Sequence, residues 1–183
     1  MRSIQIERKG QWVIRIVLMI LLFSPVLLYA QEKGVTSEKR LFHIERSKNR
    51  NLVCYDANLV DGKLDTKKPL DIYWVNQEDN PGHVNGLSGI EKRFAYGYKT
   101  VSQGEDTSEV NLTAYSGRIL TVQKLNGKYV CTIIINEQPA ILEKLYVKAK
   151  PGNSLSVEYV ELFGKVLATG EAISEKVVNK ESK

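Results

Sequence analysis

From Leu41 to Val178 the chain is written in short runs rich in Val, Ile, Leu and Tyr with turn residues between them, the spacing of antiparallel β structure. The clearest unit is Arg118 to Asn136, where Ile119-Leu-Thr-Val-Gln-Lys-Leu and Tyr129-Val-Cys-Thr-Ile-Ile-Ile flank Asn126-Gly127. Asn-Gly tolerates the positive φ angles of a type I′ turn, so the unit predicts a two-residue hairpin. Pro139 then interrupts, and Ile141 to Ala149 alternates apolar with polar positions. Leu155 to Phe163 follows the Lys150-Pro-Gly-Asn turn, and Gly164 and Gly170 bracket the connection to Glu171 to Val178. This half reads as a meander of five strands. In the other half Leu41 to Ser47, Leu52 to Leu59 and Leu70 to Asn76 are strand candidates, with Lys48-Asn-Arg-Asn51 as a four-residue turn.

One helix breaks the series. Ser88-Gly-Ile-Glu91 has the form of a capping box, Ile90 and Phe94 fall four apart on one face, and Gly97 offers a stop. The loop Gln77 to Gly86, with Pro81-Gly82, precedes it. Sequential hairpins place each strand beside the last. The expected fold is therefore mainly β: an antiparallel meander of about eight to ten strands forming a barrel or strongly curved sheet, with one short helix. A β-sandwich is the alternative.

Residues 1–30 carry an address rather than a core. Arg2, Arg8, Lys9 and Arg15 stand against Glu7, and the uncharged run from Ile16 is followed by Pro25 and by Leu28-Tyr29-Ala30. That is the order of a secretory signal peptide, with cleavage near Ala30. A retained anchor is the rival reading, although Ile16 to Ala30 is shorter than the roughly 18 to 20 residues that span a bilayer. No cysteine follows the cleavage site to carry a lipid. The expected organisation is a signal peptide (1–30), a linker (31–40), a single β-rich domain (41–178) and a flexible tail (179–183), and the expected location is periplasmic or secreted.

Charge changes the picture once the leader is set aside. Four basic residues and one acidic residue leave with it, so the formal net charge of +5 falls to +2. The remaining lysines alternate with glutamates, which argues against nucleic acid as a partner. A membrane is a partner only through the signal segment if it stays uncleaved. Cys54 and Cys131 stand in a chain expected to meet an oxidising compartment. They can form a disulfide or remain two separate buried thiols. His43, Cys54, His83 and Cys131 lack paired-ligand spacing, so no metal is expected, and no cofactor motif is present.

Candidate chemistry comes from the first hairpin. If Ser47 pairs with Leu52, then Phe42, Ile44, Val53, Tyr55 and Ala57 share one face, and His43, Glu45, Cys54 and Asp56 share the other. His43 then sits opposite Asp56, half of a catalytic relay. No nucleophile accompanies it, because in Gly86-Leu-Ser-Gly-Ile the second glycine of a nucleophile elbow is replaced by Ile90. Paired carboxylates can be drawn from Glu45, Asp56, Asp71 and Glu91, but sequence gives no separation between them. Glu78-Asp79-Asn80 and Glu105-Asp106 lack a calcium-loop pattern and read as solvated turns. Tyr73-Trp74 and Tyr96-Gly-Tyr98 are aromatic instead. Alternation puts Tyr73 and Trp74 on opposite faces, one in the core and the other exposed, edge-covered or pocket-lining; under the helix it would form the apolar wall of a ligand site.

The run from Phe42 to Asp56, Leu70-Asp-Ile-Tyr-Trp, Phe94-Ala-Tyr-Gly-Tyr and Val157-Glu-Tyr-Val-Glu-Leu-Phe-Gly together resemble a family of exported bacterial domains of unknown function, the domain of unknown function 4833 type. The resemblance covers about Leu41 to Val178 and implies one complete domain of a Gram-negative, gut-type bacterium. It carries no activity or ligand to individual residues. His43, Glu45, Arg46 and Tyr73-Trp74 lie in the stretches that bear it. The expected function is a non-catalytic binding or structural module of the cell envelope, which takes a small molecule, glycan or envelope protein through Arg46, Tyr73, Trp74 and Tyr98. The alternative is a hydrolase using His43 with a nearby carboxylate.

Overall fold

The computed structural model describes residues 37–178. The expected signal peptide, the first residues of the linker and the tail 179–183 lie outside them. The elements are β1 (Arg40–Arg46), β2 (Asn49–Ala57), β3 (Leu59–Val60), β4 (Lys63–Leu64), β5 (Leu70–Val75), β6 (Val84–Gly86), a single helical turn α1 (Gly89–Glu91) continued by a π turn (Lys92–Tyr96), β7 (Tyr98–Gly104), β8 (Thr107–Leu112), β9 (Tyr115–Leu125), β10 (Lys128–Ile135), β11 (Gln138–Lys150), β12 (Asn153–Val166) and β13 (Ala172–Val178). Nine strands in the order β6-β5-β2-β1-β11-β10-β9-β8-β7 curl into a half-barrel, and β12 and β13 continue from β11. The strongly curved, β-rich sheet with one short helix is the fold expected.

Local chemistry explains most of the connections. Asn126 and Gly127 take φ of 50° and 83°, and Leu125 pairs with Lys128 across them. Asn136 and Glu137 do the same with φ of 45° and 64°, so Pro139 does not interrupt: it sits in β11 opposite Ile134. Gly164 also belongs to a strand rather than a connection. A Cβ there would lie 2.3 Å from the Ile141 carbonyl oxygen, so the close approach of β12 to β11 requires glycine. The loop Gln77 to Gly86 ends in β6, which pairs with the last part of β5.

One junction departs from the antiparallel pattern. β11 pairs with β10 through Gln138–Ile141, then with β1 in parallel from His43↔Lys144 to Arg46↔Val147, while β12 runs along its other edge. Two wings therefore leave the same edge of one strand: β1-β2-β5-β6 and β10-β9-β8-β7. Each brings its apolar alternate residues to the concave side. Phe42, Ile44, Val53 and Tyr55 meet Val110, Leu120, Val122 and Ile133 in one core, each large side chain contributing about 1.5 to 3 kcal/mol. Phe42 and Tyr55 stack with ring centroids 4.4 Å apart.

The open side of the half-barrel is bridged by polar contacts between the wings. Tyr55 donates its hydroxyl to the Tyr96 carbonyl (2.8 Å), and Ser108 to the Thr66 carbonyl (2.8 Å). The Tyr129 hydroxyl accepts from the Leu64 amide (3.0 Å) and donates to Asp106. Farther out, Arg118 forms two charge-assisted hydrogen bonds with Glu175 of β13, which also accepts from the Asn136 amide at 2.6 Å. These contacts tie β13 to β9 and to the β10–β11 turn.

The Arg118 guanidinium holds the Glu175 carboxyl at about 2, against an ordinary value of 4.5. A depressed carboxyl contributes stability that is complete above the unfolded value and disappears as pH falls through the folded one. Arg118→Gln is expected to lose about 1 to 3 kcal/mol near neutral pH. Urea unfolding of both proteins should show that gap closing as pH drops from 4.5 towards 2. A gap independent of pH over that window would assign the effect to Arg118 packing alone.

Candidate functional site

The hairpin between β1 and β2 is tighter than expected. Its turn is Ser47-Lys48, not Lys48 to Asn51, so His43 pairs with Cys54 and Phe42 with Tyr55. The shift from the Ser47–Leu52 register is two residues over this stretch, and a two-residue slip leaves every side chain on its own face. Hence the apolar set Phe42, Ile44, Val53, Tyr55 and Ala57 is buried together as expected. The His43–Asp56 pair is lost.

On the convex face each member of that pair has another partner. His43 Nε2 lies 3.2 Å from Glu45, which also binds Lys144 at 3.1 Å. Burial pulls the His43 pKa below its ordinary value, with Glu45 opposing. Asp56 accepts from Arg40 Nε at 2.5 Å and from the Tyr73 hydroxyl at 2.7 Å. Burial and the Asp56 contact push the Tyr73 phenol up to about 12. Asp71 is the cross-strand partner of Asp56, but Asp56 is committed to Arg40 and Tyr73. Cys54 sits between the core residues Val53 and Tyr55 and so faces away from the core, whereas Cys131 is part of it. Both are buried free thiols.

The concave face holds a different group at the end of β1. Arg46 continues the alternation of Phe42 and Ile44, and β5 places Trp74 on the same side opposite Val53. The Arg46 guanidinium carbon lies 4.5 Å from the centre of the Trp74 ring, within cation–π range. Arg46 donates to the Tyr96 hydroxyl at 2.8 Å and to Asn49 Oδ1 at 3.0 Å. Tyr96 meets Trp74 edge to face with centroids 5.2 Å apart. The Arg46 Nε–H is buried with no hydrogen-bond partner, and no carboxylate lies within ion-pair distance of the side chain among the described residues.

The capping box holds the other side of Trp74. Ser88 caps α1 as expected, with its hydroxyl accepting from the Glu91 amide while Glu91 reaches back to the Ser88 amide at 2.8 Å. The same Glu91 carboxylate accepts from the indole N–H of Trp74 at 3.0 Å. Burial works against its charge, but Ser88, Trp74 and the Arg46 charge outweigh that and hold its pKa below the ordinary value. Ile90 and Phe94, on the face the spacing singled out, are 74% and 67% exposed, so α1 is positioned by its cap and by Tyr96 rather than by an apolar stripe.

Arg46 and Trp74 line a cleft of about 230 Å³ with Asn51, Asn76 and Asn85. Tyr73 and Tyr98 line a separate hollow of about 450 Å³ along β5 with Asp71 and Lys92. There the Tyr98 hydroxyl is committed to the Leu70 amide and carbonyl at 3.3 and 3.2 Å. The four expected binding residues thus divide into two pairs. The three asparagines carry no sequence signal: Asn51 lies in β2, Asn85 in β6 opposite Trp74 and Asn76 just after β5, and strand pairing brings them to Arg46. Tyr96 was legible as an aromatic after the helix, but not as the partner of Arg46. No group of three or more His, Cys, Asp or Glu residues is placed to hold a metal ion among the described residues.

A family model described as Domain of unknown function (DUF4833) matches residues 42–176, from within β1 to within β13, and the chain belongs to that family. No curated protein and no solved structure matches the chain.

The thiols lend themselves to a direct check. Burial raises the Cys54 thiol to about 11 and the Cys131 thiol higher still, so neither forms a reactive thiolate near neutral pH. Native protein should resist alkylation, and unfolding without reductant should release two titratable thiols. Recovery of none would mean the two are bridged.

Proposed function

We propose that this DUF4833 domain is an exported, non-catalytic binding module of the cell envelope, and that it binds through the Arg46–Trp74 cleft. The observation that carries the reading is the state of Arg46: a half-buried cation stacked on an indole, with a desolvated Nε–H and no carboxylate in contact. A buried hydrogen-bonding group without a partner costs about 1 to 3 kcal/mol, so such an arrangement persists where it serves a purpose. A concave position, an aromatic wall and convergent polar side chains are the usual makings of a ligand site. The basic and apolar segment before Ala30 supports export to the periplasm or beyond. A small molecule, a glycan or an envelope protein remains the partner class.

The hydrolase reading needs His43, a nearby carboxylate and a nucleophile. His43 has its carboxylate in Glu45 at 3.2 Å on the convex face, but its cross-strand neighbour Cys54 is a buried thiol raised to about 11, and the cleft residues Arg46, Asn51, Trp74, Asn76 and Asn85 include no nucleophile. No observation favours that reading over binding.

Two experiments test the proposal. A thermal-shift screen against glycans, lipids and envelope metabolites reports any ligand that binds only the native state. A genuine hit should lose its shift in Trp74→Ala and Arg46→Gln proteins that still fold, and keep it in His43→Ala. The opposite pattern would move the site to the convex face. For export, fractionation of the host should place the protein outside the cytoplasm with Gln31 near its N-terminus; a membrane-bound product that retains Met1 would identify residues 1–30 as an anchor instead.

A further inference from the structure

Resting on the cleft reading above, we infer that the Arg46 cleft recognises an oxyanion, a carboxylate or phosphate head group, rather than a neutral sugar or an amine. Donors outnumber acceptors in this cleft. Arg46 uses two of its five N–H donors, on Tyr96 and Asn49, and has no acceptor capacity. Asn51 Oδ1 is occupied by the Gln77 amide at 2.8 Å. Asn76 Oδ1 is occupied by the amides of Glu78 and Asp79, at 2.8 and 3.1 Å. These backbone donors fix the orientation of both amides, because an amide NH2 cannot accept from an N–H. Asn76 Oδ1 is thereby filled and Asn51 Oδ1 keeps one lone pair, while both side chains retain their NH2 groups. The Trp74 indole N–H is already on Glu91, and only Asn85 keeps a wholly free amide oxygen.

A ligand that satisfies several N–H groups and meets few acceptors must itself be rich in acceptors. A half-buried guanidinium without a carboxylate in contact adds the charge preference. Acidic residues also lie near the cleft, none of them in contact with Arg46: Glu91, which feels the Arg46 charge, is bonded to Ser88 and Trp74, Glu78 accepts from the Arg50 amide at 3.1 Å, and Asp79 follows it in the same loop. Next to Arg46 in the chain, Ser47 and Lys48 at the turn of the β1–β2 hairpin line a second hollow with Lys148 and Lys150 of β11. These lysines add positive potential, which favours the approach of anions. The cleft volume, about 230 Å³, is below the roughly 300 to 1,000 Å³ of sites that enclose a whole ligand. It suits a head group whose remainder stays outside.

The test uses protein purified from cells that express the full chain, with glucuronate, glucose 6-phosphate and glucose as the added compounds. Nitrogen-15 spectra follow the Trp74 indole N–H and the Arg46 Nε–H. One or both anions should shift these signals saturably while glucose leaves them in place, and the anion that acts tells a carboxylate from a phosphate preference. Asn85→Asp adds a negative charge at a position with no hydrogen bond to lose, and should weaken binding by about tenfold. Equal shifts from glucose and its anionic counterparts, or anion binding that Asn85→Asp leaves unchanged, would overturn the inference. Silence of both signals towards both anions up to about 50 mM would do the same. A neutral compound that binds through Trp74 would leave the cleft reading standing without its anion preference, whereas shifts confined to residues outside the cleft would overturn both.

Discussion

The ladder between β1 and β11 is the contact on which the two halves of this domain depend. Four consecutive pairs, from His43↔Lys144 to Arg46↔Val147, join strands about a hundred residues apart in the chain. Two further bonds prolong it, from the Ser47 amide to the Val147 carbonyl at 3.0 Å and from the Ala149 amide to the Ser47 hydroxyl at 3.0 Å. Without it the wings would be two curved sheets, each with an apolar face open to water. With it those faces share one core, and the gain from burial has to exceed the entropy of closing a long loop.

The junction also creates the candidate site. β1 ends where its pairing with β11 ends, so Arg46 emerges at the rim of the concave face, where the core gives way to solvent. An apolar residue there would extend the core. An arginine can stay because Trp74 and Tyr96 cover its planar surface while Tyr96 and Asn49 accept hydrogen bonds from two of its N–H groups. Trp74 is in turn held by Glu91, and Tyr96 by Tyr55 through its carbonyl. The capping box of a single helical turn is therefore coupled to the cleft: the carboxylate that closes the helix N-terminus also fixes the indole on which the cation lies.

The two faces of the β1–β2–β5 wing divide their polar groups in different ways. On the convex side charges are paired: Arg40 with Asp56 and Tyr73, Lys144 and His43 with Glu45. Such networks order a surface and leave little for a ligand to satisfy. On the concave side Arg46 stands with amides and aromatics, and no carboxylate touches it, Glu91 acting on its charge from beyond ion-pair distance. The same strands thus carry a self-satisfied face and an unsatisfied one, separated by the alternation of the backbone.

Local chemistry was legible in the chain itself. Asn126-Gly127 specifies its turn because few residues accept positive φ, Ser88 and Glu91 specify a helix start because their side chains bond the backbone three residues away, and strict alternation assigns Phe42, Ile44, Val53 and Tyr55 to one side of the sheet. The polar strands β7 and β8 were not legible, since Tyr98–Gly104 and Thr107–Leu112 are rich in Ser, Thr, Gln and Glu. Nor was register: a period of two is blind to an even shift, so alternation kept every residue on its face while His43 passed from Asp56 to Cys54. The parallel β1–β11 junction and the meeting of Arg46 with Trp74, Tyr96 and three asparagines are contacts between distant segments. They are selected by the shape of the shared core, a property of the folded chain that no local run of residues contains.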